Sequence, residues 1–169
     1  MNKPILFLDL DGIVNSENLD DELTELWLND RNTGIHYCQP LVENLSRFIK
    51  ANNFNIVLSS TWRLDFTFYE TKQILSQWRI DADRLIDVTP NMGQDRHHDI
   101  SKWLEINQDT DDVQYPYFFI LDDDSDAWTD NIYFHKVDVR HGFTKEEEEK
   151  ANKLISNIRR EMAYYVDKK

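Results

Sequence analysis

The sequence predicts a doubly wound α/β fold, a mostly parallel five-stranded sheet with helices on both faces, and two observations carry that prediction. Short apolar runs of strand length alternate with longer stretches whose apolar residues recur at helical spacing. Three of the runs end abruptly in acids or hydroxyls, the pattern of strands whose carboxyl ends face a ligand. Ile5 to Leu8 is a continuous apolar run closed by Asp9, as in a central strand covered on both faces. Residues 40–52 place Leu41, Leu45, Phe48 and Ile49 on one helical stripe. NIVLSS at 55–60 is a second buried strand, and residues 66–78 read as a helix through Phe66, Tyr69, Ile74 and Trp78. Leu85 to Val88 is a third strand, stopped by Thr89-Pro90. Ile100, Trp103 and Leu104 give a helix face, and Tyr117 to Leu121 follows as a fourth strand. Ile132 to Val137 reads as a fifth strand, more exposed and at an edge. The last helix, 144–165, opens with Thr144 and Glu147 in capping-box spacing. Glu146 to Glu149 crowd its first turn, where the helix dipole favours negative charge, so the run reads as a solvated helix start.

Four Gly and four Pro are scattered through the 169 residues, so no flexible linker divides the chain and residues 1–169 read as one domain. The stretch 16–39 alone is long enough for a small cap, and Leu19, Leu23, Leu26 and Trp27 predict a short amphipathic helix there, packed on the core. Five Trp, seven Tyr and nine Phe supply a sizeable core despite 30% charged residues. The 32 acids against 19 Lys and Arg give a net charge of −13, which argues against an extended footprint on nucleic acid or an anionic membrane. A local pocket for one phosphate remains compatible with it. The lone Cys38 and an N-terminal apolar run too short for a signal peptide or membrane span give the expectation of a cytoplasmic protein.

Chemistry concentrates at the strand ends. The first strand leads into Asp9-Leu10-Asp11-Gly12, the second into Ser59-Ser60-Thr61-Trp62-Arg63, and the fourth into Asp122-Asp123-Asp124-Ser125-Asp126. Singly, these are turn formers, a helix cap and a solvated acidic loop. Together they place two acidic clusters on one sheet edge, where uncompensated carboxylates in contact repel by a few kcal/mol, on the order expected near a protein surface. A divalent cation removes that cost, and oxygen donors without Cys or His at zinc spacing favour Mg²⁺. A calcium hand is excluded, because Ala127 and Tyr133 stand where its glycine and closing glutamate belong.

FLDLDGIVN, IVLSST, a basic residue upstream of the fourth strand, and FFILDDDSD resemble, in this order, the four motifs of the haloacid dehalogenase-like (HAD) superfamily. The pairing of DGIVN with SSTWR and HDISKWL is similar to the small HAD domains associated with RNA-repair proteins. The resemblance implies a Mg²⁺-dependent phosphatase with Asp9 as nucleophile and Asp11 as general acid and base. It implies Mg²⁺ held by Asp9, the carbonyl of Asp11 and Asp122, with Asp123 as a further or water-mediated partner. Asp124 and Asp126 read equally well as solvated. Ser59 would offer a hydroxyl to the phosphoryl group and Ser60 its backbone N–H.

The neutralising cation is Arg96 or Lys102. Arg96 is preferred because it shares a helical side with Ile100 and Trp103, although most relatives use Lys. Trp62 and Arg63 are candidates to stack a base and bind a phosphate, against the ordinary reading of a buried Trp. The expected substrate is a phosphorylated small molecule, a nucleotide or a nucleic-acid end. The alternatives are a receiver-like signalling domain, for which Val88-Thr89-Pro90 and Lys136-Val137 lack the pattern, and a non-catalytic phosphate-binding module, against which intact Asp9, Asp11, Ser59 and Asp122 argue. His97, His98 and Asp99 would suit a histidine–aspartate phosphohydrolase, whose fold is nearly all helical.

Overall fold

The computed structural model describes residues 3–16, 27–29, 36–108, 117–128 and 132–166. In chain order the elements are β1 (Ile5–Leu8), β2 (Trp27–Asn29), β3 (His36–Cys38), α1 (Gln39–Asn52), β4 (Asn55–Leu58), α2 (Trp62–Asp65), α3 (Phe68–Gln77), β5 (Leu85–Val88), α4 (Arg96–Gln108), β6 (Phe118–Asp122), β7 (Phe134–Lys136) and α5 (Lys145–Val166). Five strands form one sheet in the order β5-β4-β1-β6-β7, every pair parallel, and β7 is an edge as expected. The chain order reverses at β1, the topological switch point at which such sheets bind ligands.

Strand alternation sorts the apolar residues into two cores. Leu6, Leu8, Ile56, Leu58, Phe119 and Leu121 pack with Leu45 and Phe48 of α1, Ile74 and Leu75 of α3, and Ile155 of α5. Ile5, Phe7, Val57 and Ile120 pack on the opposite face with Ile100, Trp103 and Leu104 of α4. Among the described residues, helices therefore cover both faces, α1, α2, α3 and α5 on one and α4 on the other. Among the described residues no helix is long and apolar enough to cross a membrane.

Three local expectations are corrected. The helix read over 66–78 is there but starts later, because Thr67 and Glu70 form a reciprocal capping box that starts α3 at Phe68 and leaves Phe66 extended, and a separate short helix, α2, precedes it at 62–65. Trp27, placed in an amphipathic helix, lies in β2, which pairs antiparallel with β3 through Trp27 opposite Cys38; Leu19, Leu23 and Leu26 lie outside the described residues. The Glu run is only half solvated. Glu147 and Glu148 are buried, Glu147 bonding His135 (2.8 Å) and Lys150 (2.8 Å), Glu148 bonding Arg47 (3.0 Å). Thr144 does cap the Glu147 N–H at 3.3 Å, but the Glu147 carboxylate leaves the capping box for His135 on the edge strand.

Candidate active site

The register that builds the sheet also builds the site. Leu8 lies opposite both Leu58 and Leu121, so the next residues, Asp9, Ser59 and Asp122, share one rung at the carboxyl edge. The Asp9 N–H donates to the Leu121 carbonyl and the Ser59 N–H to that of Leu8 (both 3.0 Å). Period two turns this rung toward the face of Phe7, Val57 and Ile120, where α4 packs. Arg96, the first residue of α4, reaches it. Its Nη1 lies 2.6 Å from Asp9 Oδ2 and 2.6 Å from Asp122 Oδ2. The remaining oxygens accept backbone N–H groups, Asp9 Oδ1 from Leu10 (2.8 Å) and Asp122 Oδ1 from Asp124 (2.9 Å). Lys102 instead pairs with Glu105 at 2.9 Å on the surface, so of the two candidate cations Arg96 alone meets the acids.

Asp123 completes the acidic cluster and hydrogen-bonds Asp9. Gly12, at φ 68°, leaves room for it: a Cβ there would stand 2.5 Å from the Asp123 carboxyl. Burial first, and then the charge of Asp9, pushes Asp122 up to about 8 despite Arg96. Burial, the charge of Asp9 and their hydrogen bond push Asp123 up to about 6. Burial also works against the charge of Arg96, but Asp9 and Asp122 outweigh it and hold the guanidinium protonated.

One carboxylate oxygen each from Asp9, Asp122 and Asp123 lies within 4.8 Å of the others, an all-oxygen donor set that fits a hard divalent cation such as Mg²⁺. A pH dependence follows. Without a cation, Asp122 and Asp123 bind protons more tightly folded than unfolded, so their contribution to stability is complete below about pH 4 and is lost as pH rises to about 8. A cation held by these carboxylates would take the place of those protons. The rise in Tm produced by Mg²⁺ should therefore grow between mildly acidic and mildly alkaline buffer, measured against chelator by thermal scans. A rise independent of pH would place cation binding away from these carboxylates.

Ser59 is fully buried and its Oγ has no hydrogen-bond partner among the described residues, leaving a hydroxyl donor beside Asp9. Ser60 is also buried, its Oγ accepting from the Trp62 N–H at 3.4 Å. Asp11 is exposed just above the rung. Its Oδ1 accepts from Asn15 Nδ2 (3.0 Å) and its Oδ2 from Trp62 Nε1 (2.8 Å). The Trp62 ring is only 8% exposed and packs against Phe66 and Trp78, so its edge serves the site and its face is not open to a base. Arg63 likewise differs from a free phosphate contact. Its side chain is 7% exposed, with Nη1 donating to the carbonyls of Ser59 (2.8 Å) and Ser60 (2.7 Å) and Nη2 to Asp99 (2.6 Å). Asp99 in turn accepts the Met92 N–H at 2.8 Å. This buried pair holds the Ser59-Ser60 turn against the start of α4.

Asp99 is thus a site-supporting residue that sequence reasoning had weighed only in the histidine–aspartate alternative. Asp95, His97 and His98 have donor atoms within 4.8 Å of one another, separate from Asp99. Asp124 and Asp126 are exposed, and Asp124 accepts the Asp126 N–H at 3.2 Å, capping a short 3₁₀ turn.

A parallel sheet reversing at β1, with helices on both faces, defines a Rossmann-like α/β domain, and its central rung carries carboxylates and a buried serine. The family described as "HAD domain in Swiss Army Knife RNA repair proteins" matches residues 5–147, and the chain belongs to that family, whose domains are generally hydrolytic phosphatases. No curated protein and no solved structure matches the chain.

Proposed function

We propose that this protein is a Mg²⁺-dependent phosphomonoesterase that works through a phosphoaspartate on Asp9 and acts on a nucleotide or a nucleic-acid-end phosphate. The observation that carries the reading is the central rung, where Asp9 lies between the Asp122 carboxylate and the unpartnered Ser59 hydroxyl. Asp9, Asp122 and Asp123 would hold Mg²⁺, joined by the Asp11 carbonyl; the ion offsets the repulsion between carboxylate and phosphate. In the first step an Asp9 carboxylate oxygen forms a bond to phosphorus as the bond from phosphorus to the leaving oxygen breaks. Asp11 gives its proton to that oxygen, releasing the alcohol. In the second, Asp11 takes a proton from water as the water oxygen bonds phosphorus, the bond to Asp9 breaks, and the Asp9 carboxylate is regenerated with inorganic phosphate. Ser59 Oγ donates to a phosphoryl oxygen, and Arg96, already beside the nucleophile, stabilises the charge of the transferred group.

Arg96→Ala should lower kcat by about 10²–10³-fold, the usual cost of losing one donor to developing charge. Lys102→Ala should change it by less than about threefold, since surface pairs such as that with Glu105 are worth little. The reverse order in steady-state kinetics would move the neutralising role to Lys102. The function as a whole is tested by assaying phosphate release from phosphorylated metabolites, nucleotides and 3′- or 5′-phosphorylated oligonucleotides, with Mg²⁺ and with chelator. Preference for a nucleotide or an oligonucleotide end, lost in chelator, is expected. Preference for a sugar phosphate would sink the substrate assignment, and full activity in chelator the metal dependence.

A further inference from the structure

Next to the acidic cluster an open groove of about 460 Å³ runs toward the edge strand, lined by Asp123, Lys136, Val137, Asp138 and Val139. Asp123 belongs to both, hydrogen-bonding Asp9 on one side and walling the groove on the other, so the groove adjoins the acidic cluster through this carboxylate. Lys136, the last residue of β7, lies opposite Asp122 in the register and two strands from Asp9, about 10 Å at the usual strand spacing. Its side chain is exposed, and among the described residues it has no ion pair or hydrogen bond. The other acid of the groove, Asp138, is already neutralised by Arg140, whose Nε donates to Asp138 Oδ1 at 2.9 Å. With a cation on Asp123, Lys136 is the unbalanced charge of this wall, set beside the half-buried Val139, while Val137 beneath is wholly in the core.

We propose that this groove is the leaving-group subsite: the nucleoside bearing the terminal phosphate lies in the groove against Val139, and Lys136 takes the first internucleotide phosphate. The inference rests on the phosphatase reading above and narrows it to an oligonucleotide end. It matches the charge of the chain, since one unpaired lysine engages one phosphate and a protein of net charge −13 offers no extended track. It also replaces the stacking role of Trp62, whose ring is buried, with a subsite on the opposite side of β1.

Two measurements test it. The first is kcat/KM for a mononucleotide and for a dinucleotide with the same terminal phosphate, at each chain end and across a salt series. Wild type should prefer the dinucleotide. Lys136→Ala should cut that preference by about fivefold, the worth of one exposed charge pair, and reduce the salt slope for the dinucleotide by about 0.7. Lys136→Arg should restore both and Lys136→Glu should reverse the preference. The second is binding of the same two ligands, fluorescently labelled, to Asp9→Asn protein with and without Lys136→Ala, which reads the groove without turnover. A preference untouched by Lys136→Ala, in either assay, overturns the subsite. Lys136-dependent binding without any wild-type turnover would keep the groove and overturn the phosphatase reading instead.

Discussion

Asp9→Asn should abolish phosphate release and leave the fold intact or firmer. The amide cannot attack phosphorus, and no second carboxylate takes its place. Asp122 is fully buried, with one oxygen held by the Asp124 N–H and the other by Arg96. Asp123 sits to the side, against Gly12. The expected residual rate is that of the uncatalysed reaction within assay limits. Stability moves the other way, because, after burial, the charge of Asp9 is the next cause raising Asp122 and Asp123. Removing it should bring both down and raise Tm in chelator, most clearly in alkaline buffer. Measurable turnover by rigorously purified Asp9→Asn protein would falsify the covalent mechanism, whereas a large fall in Tm would show Asp9 acting chiefly as a structural partner of Arg96.

Asp11→Asn should instead slow both proton transfers by about 10²–10⁴-fold while leaving Asp9 able to attack. An amide oxygen still accepts the Trp62 indole N–H, so the substitution removes the proton and keeps the position. With an ester whose leaving group needs no proton, formation of the phosphoenzyme is spared and its hydrolysis is not. Acid-quenched samples should then hold stoichiometric phosphoprotein that wild type lacks. Trp62→Phe should give a milder loss, because Asn15 still holds the other Asp11 oxygen. A drop in rate with no phosphoprotein, under an activated ester, would take the acid–base role away from Asp11.

Those two residues were legible in the chain itself, because a buried strand ending in Asp-x-Asp-Gly is a local pattern. So was the sheet, each of whose strands is a short run with its own boundary signal. What could not be read were contacts made across elements. That Trp62 turns its edge to Asp11 depends on where α2 meets the turn after β1, and that Arg63 is buried on Asp99 depends on where α2 meets α4, 51 and 36 residues apart in sequence. Nothing in the spacing of either segment records it. The Glu run misled for the same reason: composition marks it as solvated, while Arg47 in α1 and His135 on β7 bury two of its four members. The strand pair at 27–29 and 36–38 was missed because its runs are three residues long, too short for periodicity to separate strand from helix.

The shared rung of Asp9, Ser59 and Asp122 has a consequence for how this domain tolerates evolutionary change. One alternation serves both packing and chemistry, so deleting a single residue within β1, β4 or β6 would swap the two cores and turn an acid or the serine toward α1 and α5. No point substitution elsewhere restores the frame. Inheritance of length should therefore be strict inside these strands, while insertions accumulate in the connections between them. A scan of one-residue insertions, scored for soluble expression and for activity, would recover that map, with the forbidden positions falling on the three strands that carry the site.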